Sequence, residues 1–290
     1  MRIDCVVPAR TLVGEGPVWD DRAQVLWWVD IKAPALHRYD PATGANRSWP
    51  MPARLGAVAL REQGGLVGAF KDGFALIDPD TGAVTPMTDP EAHLPGNRFN
   101  DGGVDAAGRF WAGTMDDAEA DPTGHLYRLD PDGTVAAFEA AFAITNGVDW
   151  SLDGRTLYFV DTVGGMIFAY DFDPATGRPS ARRLFARVPA AAGHPDGLVV
   201  DGEDHVWGAH WGGARLTRYR PDGSVERVLP IPAPQVSSAC FGGPDLDILY
   251  VTTAAIGLDA ATLAAHPEAG GLFAVSGLGI KGRPSCRFAG

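Results

Sequence analysis

Three short polar motifs carry the side chains in this sequence that are best suited to bind a metal ion. Glu15 lies in Gly-Glu-Gly-Pro, Asn146 in Thr-Asn-Gly and Asp196 in Pro-Asp-Gly. Carboxylate and amide oxygens favour Ca²⁺, Mg²⁺ or Mn²⁺, and Zn²⁺ or Fe²⁺ is also compatible because carboxylates accept both. Three protein ligands leave positions open for water and substrate, which is typical of a catalytic metal. The alternative is that the motifs are ordinary β-turns, since Asn-Gly and Asp-Gly are frequent turn formers.

A fourth polar motif and two histidines are candidates for the same site. Residues 97–102 read Asn-Arg-Phe-Asn-Asp-Gly, in which Arg98 offers several fixed donors suited to hydroxyl or carbonyl oxygens. His194 directly precedes the Pro-Asp-Gly motif and His210 lies in Ala-His-Trp-Gly-Gly, so either could line a pocket. The sequence has no Gly-x-Ser-x-Gly elbow, P-loop or His-Glu-x-x-His motif, so serine-hydrolase, nucleotide and zinc-protease mechanisms lack their characteristic residues.

A repeated strand pattern indicates what positions these residues. Six short runs rich in aromatic and β-branched residues recur at intervals of roughly 40 to 50 residues, which is the spacing of propeller blades. Acidic or glycine-rich turns precede the runs, and a second strand ending in another Asp/Gly turn follows five of them, as expected for β-hairpins. The runs are 26–30, 65–69, 109–113, 156–160, 205–209 and 248–252.

These repeats predict an all-β fold, a six-bladed β-propeller with a central metal site, in which residues 1–290 form a single domain. The sixth unit ends at 270–275, and we expect a strand from the first ten residues to close the ring. Blades converge on a central channel, so side chains near the first strands of different blades should meet there. All four polar motifs are predicted to stand immediately before a blade's first strand.

The bulk properties exclude several classes of partner. The formal net charge of −12 disfavours nucleic acid and anionic membrane surfaces. The apolar runs are far shorter than the roughly 20 residues that a membrane-spanning helix needs. The N-terminus lacks a secretory pattern, and the three cysteines have neither disulfide nor zinc spacing, so we expect a cytoplasmic protein with reduced thiols. We expect a monomer or a weak homo-oligomer.

In combination, the motifs resemble those of the senescence-marker-protein/regucalcin/gluconolactonase family. The similar stretches run from the first blade to the C-terminus and are 14–19, 97–102, 110–115, 144–151, 195–197, 240–244 and 267–273. The resemblance implies that Glu15, Asn146 and Asp196 bind the metal, with Asp196 also acting as the general base. It implies that Arg98 and Asn100 hold substrate oxygens.

One stretch departs from the family pattern. Regucalcin-like members have a Glu shortly after Gly-Thr-Met that contacts the sugar, whereas here Asp116, Asp117, Ala118 and Glu119 follow that tripeptide. The carboxylate has either shifted by one position or been lost. Asp117 and Glu119, together with His194, are therefore the remaining candidates for substrate binding.

The resemblance implies metal-dependent hydrolysis of a sugar lactone, such as xylono-, arabino-, glucono- or galactonolactone, to the aldonic acid. One divalent cation, Ca²⁺, Mn²⁺, Zn²⁺, Mg²⁺ or Fe²⁺, would stabilise the developing oxyanion while Asp196 activates water. Two alternatives stay open because fold does not fix function. They are a non-catalytic calcium- or metal-binding regulatory propeller, and an esterase or phosphotriesterase that uses the same site.

Overall fold

The chain forms six four-stranded antiparallel sheets arranged as the blades of a propeller. A computed structural model describes residues 1–290. In chain order the strands are β1 (Arg2–Val7), β2 (Gly14–Asp20), β3 (Val25–Asp30), β4 (Ala35–Asp40), β5 (Ala45–Pro50), β6 (Leu55–Leu60), β7 (Leu66–Phe70), β8 (Gly73–Ile77), β9 (Val84–Thr88), β10 (Asn97–Val104), β11 (Phe110–Asp116), β12 (Gly124–Leu129), β13 (Val135–Phe142), β14 (Thr145–Trp150), β15 (Thr156–Asp161), β16 (Met166–Asp173), β17 (Arg178–Arg187), β18 (His194–Val200), β19 (Val206–Trp211), β20 (Arg215–Tyr219), β21 (Val225–Pro230), β22 (Gln235–Gly242), β23 (Ile248–Ala254) and β24 (Leu272–Ser276). The only helical segments are one 3₁₀ turn, Ala190–Ala192, and one short helix, α1 (Ala260–Ala265). The predicted all-β, six-bladed fold is confirmed.

The ring closes where the two ends of the chain share a sheet. Five blades use four consecutive strands each, starting with β2, β6, β10, β14 and β18. The sixth has the order β1-β24-β23-β22, with Ile3 opposite Val275 and Asp4 opposite Ala274. This pairing confirms the expected closure by the N-terminal strand. No helix in the chain is long and apolar enough to cross a membrane.

The hydrophobic core is divided into six clusters, each of which lies between two neighbouring blades. Between the first and sixth blades, Trp19 stacks on Tyr250 with ring centroids 5.7 Å apart. Between the third and fourth, Trp111 meets Trp150 edge-on at 6.0 Å. Such aromatic pairs add to the free energy gained from burial. Packing on both faces of every blade therefore fixes the innermost strands around the channel.

Each innermost strand has a β-bulge or a similar register irregularity in its first half. The register against the second strand shifts between Glu15 and Val18, Leu55 and Ala57, Phe99 and Gly102, Asn146 and Val148, Pro195 and Leu198, and Val236 and Ser238. A bulge redirects a side chain and interrupts ladder pairing. The sequence pattern had predicted that the four polar motifs stand before the first strands. This placement is wrong, because the motifs lie within those strands.

The Asn-Gly and Asp-Gly dipeptides are not turns, so the β-turn interpretation is wrong. Asn146 and Gly147 lie inside β14, and Asp196 and Gly197 lie inside β18. A Cβ atom at Gly147 would stand 2.9 Å from the Asp196 carbonyl oxygen, and one at Gly197 would stand 2.2 Å from Ser238 Oγ. Glycine is needed here because neighbouring inner strands approach closely.

The C-terminal segment after β24 closes the far end of the channel and contacts all six blades. Its contacts include Arg287 with Asp20, Phe288 N with Leu60 O, Ala289 N with Gly108 O, Arg283 with Asp149, Lys281 O with Gly202 N and Gly282 N with Leu246 O. A cavity of about 120 Å³ lies between this segment and the inner strands. The segment therefore connects blades that are far apart in sequence.

Replacing Phe288 with Ala is expected to destabilise the protein by about 3–5 kcal/mol, because the ring is fully buried against the second and third blades. Denaturant-induced unfolding measures the change. Leu152→Ala is the matched control, since Leu152 is 45% exposed and its loss should change the free energy of unfolding by less than about 0.5 kcal/mol. Equal effects of the two substitutions on the free energy of unfolding would contradict a stabilising role of the C-terminal segment.

Candidate functional site

A cavity of about 310 Å³ lies at the end of the channel where the inner strands begin. Its lining includes most of the site residues predicted from sequence: Glu15, Arg98, Asn100, Glu119, Asn146, His194 and Asp196. The five from inner-strand motifs are buried, with exposures of 4% to 7%, whereas Glu119 and His194 are exposed. Asp117 does not line the cavity. The structure thus brings together residues from four different blades.

Two carboxyl groups and an amide form the floor of this cavity. Glu15 comes from the first blade, Asn146 from the fourth and Asp196 from the fifth. The carboxyl groups of Glu15 and Asp196 lie within hydrogen-bond reach of each other. Asp101 is also buried beside them. Three acidic side chains therefore share one buried region.

Without a cation, burial and mutual repulsion make it unfavourable for these three carboxyl groups to be ionised together. Burial first, and then the charges of Asp196 and Asp101, raise the pKa of Glu15 well above its usual range. Burial and the charge of Asp101 also raise the pKa of Asp196 well above its usual range. Burial raises the pKa of Asp101 to about 6. A bound cation would relieve the repulsion and favour the ionised carboxylates.

The donor set fits a divalent cation that prefers oxygen. No group of three His, Cys, Asp or Glu side chains in the chain has metal-binding geometry, so the candidate set depends on the amide oxygen of Asn146 in addition to Glu15 and Asp196. Amide and carboxylate oxygens together suit a hard cation. The set contains no thiolate or imidazole and thus gives no specific signal for zinc.

A directed chain of hydrogen bonds orients Asn146. Arg98 Nη1 donates to Asn100 Oδ1 at 2.6 Å, and Asn100 Nδ2 donates to Asn146 Oδ1 at 2.9 Å. Asn146 Nδ2 then donates to Thr162 Oγ1 at 2.9 Å, and Thr162 Oγ1 donates to the Pro195 carbonyl oxygen at 2.9 Å. Flipping the Asn146 amide would set its NH₂ against that of Asn100. These hydrogen bonds therefore fix Oδ1 of Asn146 as the acceptor on the side of Asn100 and leave it one lone pair for a cation.

The same hydrogen bonds limit how many contacts Asn100 can make with a ligand. Its two amide hydrogens go to Asn146 Oδ1 and to the Thr145 carbonyl oxygen, the latter at 2.8 Å. Its Oδ1 accepts from Arg98, which leaves one lone pair for a substrate hydroxyl. Sequence reasoning missed Thr162, which connects Asn146 to the strand of Asp196, because nothing in its local sequence marks it.

Asp117 lies beside Arg98 and holds it in place. Arg98 Nε and Lys32 Nζ approach Asp117 Oδ1 at 2.9 Å and 3.1 Å, and Arg54 pairs with Oδ2. Burial lowers the pKa of Arg98 to about 10, a value at which its guanidinium stays charged at neutral pH. Of the two carboxylates proposed to contact substrate, Glu119 lines the cavity and Asp117 orients a cation that lines it.

The two histidines differ in position. His194 lines the cavity, whereas His210 is 2% exposed and lies within its blade. His210 Nδ1 is 2.9 Å from the Ala192 carbonyl oxygen, and its Nε2 is 3.4 Å from the Tyr219 hydroxyl. The suggestion that His210 lines the pocket is therefore wrong, because its ring is buried between the Ala192 carbonyl oxygen and the Tyr219 hydroxyl. Trp211, the next residue along β19, lines the cavity instead.

Comparisons with known proteins agree with this architecture. The family model described as "SMP-30/Gluconolactonase/LRE-like region" matches residues 13–255. Regucalcin of Xenopus laevis is 38% identical over 297 aligned positions, which cover 100% of this chain and 99% of that protein. The crystal structure of a calcium-binding protein, regucalcin, from Agrobacterium tumefaciens superposes with a TM-score of 0.94 at 33% identity, covering 98% of this chain and 96% of the other.

A luciferin-regenerating enzyme is similar over the same length. It superposes with a TM-score of 0.93 at 30% identity and covers 99% of both chains. Similarity to these relatives extends through all six blades, and the family resemblance predicted from the motifs is confirmed. The chain belongs to the SMP-30/gluconolactonase/LRE-like family.

Proposed function

We propose that this protein hydrolyses sugar lactones to the corresponding aldonic acids in a reaction that depends on a divalent cation. The observation that supports this most is the meeting of Glu15, Asn146 and Asp196 at the floor of a cavity large enough for a monosaccharide. The family description includes gluconolactonase, and a relative of known structure is described as calcium-binding. Both descriptions are consistent with the donor set.

Oxygen atoms of Glu15, Asn146 and Asp196 would hold the cation, which when bound supplies Lewis-acid stabilisation of negative charge on the lactone carbonyl oxygen. Asp196 accepts a proton from the water that attacks the carbonyl carbon. The ring C–O bond then breaks, and the proton is returned to the departing alkoxide oxygen. One water is consumed and the ring opens to a hydroxy acid.

The cavity wall orients the sugar ring. Arg98 makes hydrogen bonds through Nε and Nη1 but has no protein partner for Nη2, so this donor is free for a substrate oxygen. Asn100 Oδ1 retains one lone pair for a hydroxyl group. Glu119 and His194, which are exposed at the cavity, are placed to contact the part of the sugar nearest solvent.

Removal of metal by prolonged chelation is expected to abolish lactone hydrolysis, and one of Mn²⁺, Zn²⁺, Fe²⁺, Mg²⁺ or Ca²⁺ should restore it. The test is proton release from xylono-, arabino-, glucono- and galactonolactone, corrected for spontaneous hydrolysis. Circular dichroism should show an intact fold, because the interblade clusters do not involve the metal ligands. Full activity of metal-free protein would refute the mechanism, and cation binding without any turnover would favour a non-catalytic metal-binding role.

A further inference from the structure

Three positively charged side chains converge on one carboxylate beside the cavity. Lys32 and Arg98 both approach Asp117 Oδ1, and Arg54 pairs with Oδ2 of the same residue. We call this group, together with Glu119 on the adjoining loop, the cationic wall. Its three cations and two carboxylates leave a surplus of one positive charge.

Two of these cations face the cavity with unused donors. Lys32 and Arg98 line it, and their side chains are only 17% and 5% exposed. Lys32 uses one of its three donors on Asp117, and Arg98 Nη2 has no protein partner. Burial, followed by the positive charges of Arg98 and Arg54, lowers the pKa of Lys32. The surplus charge is thus poorly solvated, and an anionic ligand group would compensate it.

We infer that the cationic wall binds a carboxylate of the substrate, so that the preferred lactones are monolactones of sugar dicarboxylic acids. This inference rests on the proposed lactonase function and specifies its substrate class. Arg98 is two hydrogen bonds from Asn146, through Asn100. A six-carbon sugar acid is of comparable length, so its lactone carbonyl can lie at the cavity floor while its far carboxylate meets Lys32 and Arg98.

The charge balance favours a carboxylate over a phosphate. A carboxylate carries one negative charge, which matches the surplus of the wall. A phosphate monoester carries about −1.5 to −2 at neutral pH and would leave negative charge uncompensated beside Glu119. A neutral aldonolactone would leave the surplus positive charge of the cationic wall uncompensated.

The test compares kcat/KM for the monolactone of glucaric acid with that for gluconolactone, which has the same chain length and no carboxylate. Wild-type protein should prefer the dicarboxylic substrate. Lys32→Met keeps the apolar stem of the side chain but removes a charged hydrogen-bond donor. It should therefore lower the ratio of kcat/KM for the glucaric monolactone to kcat/KM for gluconolactone about 10-fold. Glu119→Gln removes a negative charge from the same wall and should raise the ratio.

Lys281→Met is the matched control, because Lys281 is 63% exposed on the segment that closes the opposite end of the channel. It should leave the ratio unchanged. A wild-type preference for gluconolactone, or equal ratios in Lys32→Met and Lys281→Met, would overturn the inference. Preference for gluconolactone phosphorylated at its terminal carbon would overturn the assignment to a carboxylate.

Binding measurements separate this inference from the proposed function. Calorimetric titration of the metal-free protein with the same two lactones reports whether it binds the negatively charged lactone more tightly than the neutral one, whether or not hydrolysis occurs. Tighter binding of the dicarboxylic lactone that is weakened in Lys32→Met would support the cationic wall even if no lactone were hydrolysed. Equal affinities in wild type and Lys32→Met would refute it even if lactones were hydrolysed.

Discussion

Asp196→Asn is expected to lower lactone turnover by about 10²- to 10⁴-fold while the protein still binds its metal ion. The substitution keeps an oxygen at a position that is 5% exposed on the cavity floor, but it removes the proposed proton acceptor. The loss of one negative charge relieves repulsion with Glu15 and Asp101, so the fold should tolerate the change. Bound metal and initial rate should be measured on the same sample at saturating metal.

The control for this substitution is Asp101→Asn, which removes a buried carboxylate from the same region. Asp101 lines the smaller cavity on the far side of the floor and not the cavity lined by Glu15 and Asp196, so its loss should affect turnover less. Near-wild-type turnover in Asp196→Asn with metal bound would rule out Asp196 as the base. The remaining acidic group that lines the cavity, apart from Glu15, would then be Glu119.

The blades were predictable because their signals are local. A β-hairpin is encoded by a short turn and two alternating strands, and this unit is repeated around the ring, so errors in one copy do not alter the fold prediction. The convergence of Glu15, Asn146 and Asp196 followed from their equivalent positions in different blades. Their bulges were not predictable, because the close approach of inner strands at Gly147 and Gly197 arises only when the blades pack together.

The surroundings of the candidate site could not be read from sequence because they depend on contacts between distant segments. Lys32 and Asp117 are 85 residues apart in the chain, yet their side chains lie 3.1 Å apart. Thr162 connects two neighbouring blades, since it accepts a hydrogen bond from Asn146 and donates one to the Pro195 carbonyl oxygen. The role of Asp117 depends on which positively charged side chains pack beside it. The C-terminal segment has no periodic pattern, although Phe288 is completely buried.

Glu15→Gln is expected to weaken metal binding by at least about 100-fold. Glu15 is 4% exposed, and its carboxylate is one of only two charged groups in the candidate ligand set. Loss of residues that merely support a ligand typically reduces metal affinity 10- to 100-fold, so loss of a charged ligand should cost more. Turnover should fall at limiting metal and recover in part when metal is raised, since the proposed base, Asp196, remains available.

Arg98→Ala provides the contrast, because Arg98 lines the same cavity and is equally buried but has no place in the ligand set. It should reduce kcat/KM at saturating metal, while metal affinity falls less than in Glu15→Gln. Some loss is expected because Arg98 orients Asn146 through Asn100. Metal titration by calorimetry and kinetics at saturating metal distinguish the two defects. Equal losses of metal affinity in both variants, with no separate kinetic defect in Arg98→Ala, would show that the division between metal ligand and substrate-binding residue is wrong.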